Sequence, residues 1–352
     1  MVSRTEKIYS GLESNGLDGL IVSSQSNISY ACQYNCRDAY LLISKRGSIY
    51  FTDSRYIEEV QRKLSAFRIK RINGSAFKII ADTAYELKLK RIGFEERNLT
   101  YAEYAKIKGH LAKSMKLIPT HNIIETLRQI KDTYELANIR KALRITESAI
   151  RFIKKYLTPG IRELEIVAEL ERFIRYKGAT GSAFDIIVAS GPNSSFPHHL
   201  SSSKKLKSNE PVLIDIGVDY SGYKSDLTRV FFLGKISVLG SKIYNIVKEA
   251  QAKAIEKIRP GVKISEVDKA ARRHIIKQGY GNLFEHNTGH GIGLEIHETP
   301  HICPQEDNQL KPGMVLTVEP GIYLPNKFGI RIEDMVLVKE NGCEVLSGSI
   351  NK

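Results

Sequence analysis

Cysteine is scarce in this chain. Four thiols, Cys32, Cys36, Cys303 and Cys343, in 352 residues are too few for a disulfide scaffold, and Cys32-x-x-x-Cys36 has no second ligand pair nearby. The opening stretch MVSRTEKIYSGLESNG lacks the apolar core of a secretion signal. No run approaches the roughly 18 apolar residues of a membrane span. Low-complexity segments and stacked-aromatic nucleic-acid modules are missing too. These absences lead us to expect a cytoplasmic protein with reduced thiols and neither a membrane nor a nucleic acid as partner. The sequons at Asn27, Asn98 and Asn193 then carry no meaning, because glycosylation requires secretion.

With 42% hydrophobic and 26% charged residues, the composition is that of an ordinary globular protein. The length suits two domains, each able to bury a core. The formal charge of +14 is spread along the chain. Residues 1–127 hold 20 Lys+Arg against 13 Asp+Glu, and the remainder holds 33 against 26. Basic clusters such as Arg68-Ile69-Lys70-Arg71 are short, which fits a solvated basic surface better than a nucleic-acid groove.

In the first third, strand-like runs (17–24, 39–44, 48–53, 67–72, 91–95) alternate with helical spacing (54–64, 101–114). This predicts a small α/β domain over 1–127. Residues 125–157 form one long amphipathic run, which predicts a single helix linking that domain to a second one over 128–352. The second should hold a helix (162–179), a strand (184–190) and a Ser-rich loop with Pro197-His198-His199. After these come a hairpin (211–234), two helices (241–258, 264–278) and β-rich segments (290–297, 314–324, 329–338). The order hints at two similar halves.

His297-Glu298-Thr299-Pro300-His301 matches H-E-x-x-H, the zinc-protease signature, which works only on a helix. Pro300 lacks an N–H and clashes with a preceding turn. Gly289, Gly291 and Gly293 weaken a helix, and Ile292, Leu294 and Ile296 alternate as in a strand. The helical metal motif is excluded, and its histidines need another account.

Four acids interrupt apolar strands: Asp215 in VLIDIGV, Asp226 in DLTRVFF, Glu319 in MVLTVEPGIY and Glu333 in GIRIEDMVLV. A two- or four-residue turn around Tyr220-Ser221-Gly222-Tyr223 pairs positions whose numbers add to an odd value. Asp215 and Asp226 add to one, so they share a face, opposite or diagonal. A hairpin closed through Leu324–Phe328 likewise puts Glu319 and Glu333 on one face. Buried carboxylates need partners. Each could pair with an arginine such as Arg229 or Arg331, but four of them with the Gly-flanked His290 suit shared divalent cations better. The oxygen-rich set favours Mn²⁺ or Co²⁺ over a thiolate metal.

IDIGVDYSGYKSDLTRVF, NTGHGIGLEIHETP, LKPGMVLTVEPGIY and GIRIEDMVLV together resemble the pita-bread metallopeptidases, in the aminopeptidase P and prolidase branch that cleaves Xaa-Pro bonds. The resemblance is strong over about 128–347. It is looser over 1–127, where GLDGLIV and FTDSRY carry it and YACQYNCRDAY departs from the usual Gly-rich pattern. It implies an α+β fold, a pita-bread catalytic domain preceded by a smaller α/β domain. It also implies two divalent ions, Mn²⁺ before Co²⁺ or Zn²⁺. Asp226 and Glu333 would bridge them, with Asp215 on one and His290 and Glu319 on the other. His297 would face the substrate and stabilise charge developing there. His198 would hydrogen-bond the substrate, although His199 is the neighbouring alternative. Glu319 would move the proton, Arg331 would stand beside the bridging glutamate, and His301 would be a rim residue. The expected partners are a proline-containing peptide and a second copy in a homodimer. The expected reaction is removal of the residue before proline at peptide N-termini, with cleavage of Xaa-Pro dipeptides as the alternative. A methionine aminopeptidase usually lacks the extra N-terminal domain, a creatinase-like enzyme lacks the metal acids, and a non-catalytic peptide-binding module usually loses ligands.

Overall fold

The computed structural model describes residues 3–350 and Lys352, and the chain divides into two units, Met1–Arg128 and Gln129–Lys352. The first contains α1 (Arg4–Ser14), β1 (Gly19–Val22), α2 (Gln25–Cys32), β2 (Ala39–Ser44), β3 (Gly47–Thr52), α3 (Ile57–Lys63), β4 (Arg68–Arg71), α4 (Ala76–Glu86), β5 (Arg91–Glu95), α5 (Tyr101–His110), β6 (Lys116–Thr120) and α6 (Ile123–Arg128). The strands form one mixed sheet in the order β4-β3-β2-β1-β5-β6. Ile21, Leu42, Phe51, Ile80, Ile92 and Ile107 lie in its core. Among the described residues all four cysteines are free thiols, and no helix is long and apolar enough to cross a membrane.

The amphipathic run over 125–157 is not one helix. α6 stops at Arg128, and α7 (Thr133–Ile153) starts afresh behind Asp132. The Asp132 side chain accepts from the Glu135 backbone N–H at 2.9 Å, and Glu135 accepts from that of Asp132 at 3.1 Å. This reciprocal cap satisfies N–H groups that a continuing helix would have bonded itself. Its D-x-x-E spacing is local, and the surrounding apolar periodicity conceals it.

The second unit continues with α8 (Glu163–Tyr176), β7 (Gly181–Ser182), β8 (Ile187–Ser190), β9 (Pro211–Ile216), β10 (Val218–Tyr220), β11 (Tyr223–Lys224), β12 (Leu227–Phe232), α9 (Val238–Lys257) and α10 (Ile264–Lys277). Then come β13 (Gly289–Gly291), β14 (Glu298–Ile302), β15 (Val315–Val318), β16 (Gly321–Leu324), β17 (Phe328–Arg331), β18 (Asp334–Val338) and β19 (Cys343–Val345). The core has two parts. α7 and α8 bury Ile145, Ile150, Ile166 and Leu170 with Val212, Ile214 and Leu227 of β9 and β12. α9 and α10 bury Val247, Ala250, Val267 and Ala271 with Leu316, Val318 and Val336 of β15 and β18. Each half is thus a helix pair laid on a strand ribbon, the recurring arrangement that the element order foreshadows.

The ribbons set the register on which the site depends. β9 pairs with β12 as Asp215↔Thr228 and Ile216↔Leu227, and β10 with β11 as Tyr220↔Tyr223. The turn is the two-residue Ser221-Gly222, both at positive φ, 53° and 85°, the conformation that matches strand twist and favours glycine. Asp226 is therefore diagonal to Asp215, on the same face. β15 pairs with β18 and β16 with β17 in one continuous register, Val318↔Asp334 and Gly321↔Arg331, which sets Glu319 opposite Glu333.

The long strands expected over 314–324, 329–338 and 290–297 are all broken. Glu319-Pro320 separates β15 from β16, Ile332-Glu333 separates β17 from β18, and residues 292–297 form a loop between β13 and β14. The first two breaks are where the chain leaves a five-stranded sheet for a two-stranded one. Pro320 cannot donate to a ladder. Pro300 sits in β14, an edge strand of its sheet, where a missing N–H is tolerated.

Candidate metal centre

β13 delivers His290 to the acids because Gly289 lets it lie hard against β15. A Cβ on Gly289 would stand 2.0 Å from the carbonyl oxygen of Thr317, so no other residue fits without moving the strand. The His290 backbone N–H donates to Thr317 Oγ1 at 3.0 Å. Its ring Nδ1 lies 3.0 Å from the Gly291 carbonyl. A carbonyl only accepts, so Nδ1 carries the hydrogen, and in the neutral ring Nε2 keeps its lone pair. Nε2 lies 3.3 Å from Glu319 Oε1 and 3.6 Å from Asp226 Oδ2.

Asp226, His290 and Glu333 each offer a ligand atom within 4.8 Å of the others. All three are buried, and so is Asp215. Asp215 Oδ1, Asp226 Oδ1 and Glu333 Oε1 are buried without any hydrogen-bond partner. A buried polar atom left without a partner costs about 1–3 kcal/mol and calls for an explanation. Three such oxygens converging with an imidazole lone pair form a donor set for a hard divalent cation. The residues present fit the metal.

Arginine neutralises little of this charge. Arg331 Nη2 donates to Asp215 Oδ2 at 2.6 Å, leaving Oδ1 unpartnered. Arg229 pairs instead with Asp334 at 2.8 Å. Burial, then the charges of Glu333 and Asp215, push the Asp226 carboxyl well above its ordinary range. Burial, then Glu319 and Asp215, do the same to Glu333. Glu319 is held down to about 2: burial opposes this, but the His290 hydrogen bond and charge outweigh it. Against burial, the same pairing raises His290. With no cation to balance them, the acids recruit protons, and a cation would reverse that preference.

The remaining expected site residues are close by. The His297 ring packs edge-on against His290, centroids 4.4 Å apart. Burial, then the His290 charge, lowers its pKa, and the charges of His301 and His198 act on it as well. His301 lies opposite His290 in the β13–β14 register. His199 is committed elsewhere. Its Nε2 is 3.0 Å from Glu163 Oε2, and Glu163 also accepts from the backbone N–H groups of Ser190 and Ser202 and from Asn193 Nδ2. One buried carboxylate thereby pins the Ser-rich loop and leaves His198 to face His297. Glu298, the supposed base of H-E-x-x-H, is tied to buried Lys131 at 3.3 Å and accepts from the Glu295 N–H.

Some supporting residues are not obvious in the sequence. Thr228 Oγ1 donates to Glu333 Oε2 at 2.8 Å, and Thr317 Oγ1 donates to Glu319 Oε1 at 3.2 Å. Each stands two residues from an acid on its own strand, so the alternation that aligns the acids also points to these hydroxyls. Arg331 Nη1 donates to Tyr323 Oη, which lies 3.0 Å from His286 Nε2. Nothing in the sequence marks Glu163, Tyr323 or His286.

Residues 137–340 match the family model for metallopeptidase family M24, and residues 4–130 match that for the creatinase/prolidase N-terminal domain. The chain belongs to metallopeptidase family M24. Within the M24 proteins it is 35% identical over 352 residues to the Xaa-Pro dipeptidase of Pyrococcus furiosus, covering 99% of this chain and 98% of that one. A solved Xaa-Pro dipeptidase from Bacillus anthracis matches with a TM-score of 0.95 at 38% identity, covering 99% and 98% of the two chains. An X-Pro aminopeptidase from Thermotoga maritima matches with a TM-score of 0.90 at 35% identity, covering 98% and 97%. The second unit is thus the pita-bread domain of an M24 metallopeptidase, a family that depends on divalent metal.

Proposed function

We propose that this M24 protein is an Xaa-Pro dipeptidase that holds two divalent cations, Mn²⁺ foremost, with residues 1–127 as its N-terminal domain and 128–352 as its catalytic domain. The observation that carries the reading is the convergence of Asp226, His290 and Glu333, with unpartnered oxygens on Asp215, Asp226 and Glu333. Asp226 and Glu333 would bridge the ions, Asp215 would hold one, and His290 and Glu319 the other. Once bound, such ions supply a water acidified toward neutral pH and a Lewis acid for the scissile carbonyl.

The chain's own groups do the rest. Glu319, kept ionised by His290, takes the proton of the attacking water and returns it to the departing proline nitrogen. His297, whose lowered pKa keeps it neutral at pH 7, donates a ring N–H to the oxygen on which charge develops. His198 hydrogen-bonds the substrate beside the scissile bond. Arg331 holds Asp215 by a charge-assisted bond and so orients it. The amide before proline has no N–H, so a pocket selecting by shape must replace the usual grip on that hydrogen.

The sequence alone leans toward removing residues from longer peptides. The relatives favour dipeptides, because the B. anthracis and P. furiosus proteins are both Xaa-Pro dipeptidases. An assay with Mn²⁺ comparing Ala-Pro with Arg-Pro-Pro decides: cleavage of Ala-Pro is expected. Cleavage of Arg-Pro-Pro alone makes the chain an aminopeptidase, and cleavage of neither makes it a binding module. We place the enzyme in the cytoplasm as a homodimer, in line with its free thiols and the family resemblance.

A further inference from the structure

The inference concerns what holds Glu333, and it rests on the metal site proposed above. Three polar groups of Glu333 are fastened to two adjacent residues of β12. Its backbone N–H donates to the Thr228 carbonyl at 3.3 Å. Its Oε2 accepts from Thr228 Oγ1 at 2.8 Å, and its carbonyl accepts from Arg229 Nη1. Oε1 alone has no partner. Arg229 is 3% exposed and Asp334 fully buried. Arg229 Nη2 donates to Asp334 Oδ1 at 2.8 Å and to the Ile350 carbonyl at 3.1 Å, and Ser347 Oγ donates to Asp334 Oδ1 at 2.6 Å.

We propose that Arg229 and Asp334 are a positioning pair, a strap between the two carboxylate ribbons that fixes Glu333 against Asp226 and thereby sets the affinity for divalent cations. Asp215 and Asp226 belong to one ribbon, Glu319 and Glu333 to the other. A cation shared between ribbons needs its oxygens held to a few tenths of an ångström, while the acids themselves repel. Arg229, on β12, bonds the backbone of Glu333 and the side chain of the next residue, so the ribbons cannot part there without breaking a buried ion pair. Asp334 also offsets the guanidinium charge, which would otherwise compete with the cation.

A pair that only stabilised the fold would behave differently. Replacing a buried ion pair with apolar residues of similar volume is often neutral for stability, so positioning and stability can be separated. The test uses the full chain stripped with EDTA. Mn²⁺ binding is read from the free-ion paramagnetic resonance signal, alongside thermal melting of the metal-free proteins. The variants are the double Arg229→Met/Asp334→Leu and the single Arg229→Lys. The double variant should melt near wild type yet bind Mn²⁺ about ten- to a hundredfold more weakly, as for other supports of metal ligands. Arg229→Lys should fall between the two, because an ammonium cannot reproduce the guanidinium fork. Wild-type affinity in a folded double variant overturns the strap alone. If the double variant does not fold, unchanged affinity in Arg229→Lys overturns it equally. Failure of the wild type to take up Mn²⁺ overturns the metal site and the strap together.

Discussion

Glu333→Gln should make the metal-free protein more stable and the metal-loaded protein less so. Glu333 and Asp226 carry ligand oxygens within 4.8 Å of each other. At an effective dielectric of 20, two charges at that distance repel by about 3 kcal/mol. The metal-free fold avoids this by keeping protons, which is why both carboxyls sit above their ordinary range. A group with a raised folded pKa contributes stability that is full below its unfolded value, about pH 4. That contribution is lost as pH climbs through the folded value, at up to about 1.4 kcal/mol per pH unit per proton. The metal-free wild type should therefore lose stability relative to the Gln variant from pH 5 to 8. With Mn²⁺ at a hundred times its Kd, linkage stabilises the wild type by about 2.7 kcal/mol, or about 5–10 °C in Tm for a unit of this size. Glu333→Gln should forfeit most of that rise. Calorimetric or CD melts over that pH range, with EDTA and with Mn²⁺, provide the readout. Identical metal-free pH slopes, or a full Mn²⁺ rise in the variant, would refute the electrostatic account.

Asp226→Ala should abolish both Mn²⁺ uptake and Ala-Pro cleavage; either retained at the wild-type level contradicts its bridging role. His297→Ala should bind Mn²⁺ normally and lose about 10²–10³ in kcat, and an unchanged kcat removes it from the chemistry. Lys131→Met should destabilise the fold by about 3–5 kcal/mol, since it strands the buried Glu298 charge, without weakening Mn²⁺ binding. Metal loss in that variant would return H-E-x-x-H to consideration. Gly289→Ala should weaken Mn²⁺ binding by forcing β13 away from Thr317, checked by titration.

The site was more legible in the sequence than the fold around it. Strand alternation is a strict period of two, so a parity count aligns Asp215 with Asp226 and Glu319 with Glu333 before any coordinates exist. Pro300 likewise rules out the helical zinc motif locally. What escaped is non-local or interrupted. α6 and α7 read as one helix because apolar periodicity continues across the Asp132 cap. The long strands over 314–324 and 329–338 break where the chain changes sheets, which a single strand's pattern does not encode. Helices α1, α2 and α4 and strand β6 of the first unit lay in stretches given no element. Choosing His198 over His199 needed Glu163, which lies 36 residues from His199 in sequence and binds it in space.

Metal analysis of the purified chain after equilibration with Mn²⁺ and removal of free ion tests the central claim most directly. About two ions per chain are expected, falling to none in Glu333→Ala. A wild-type chain that retains no ion, or a variant that retains both, would contradict the account.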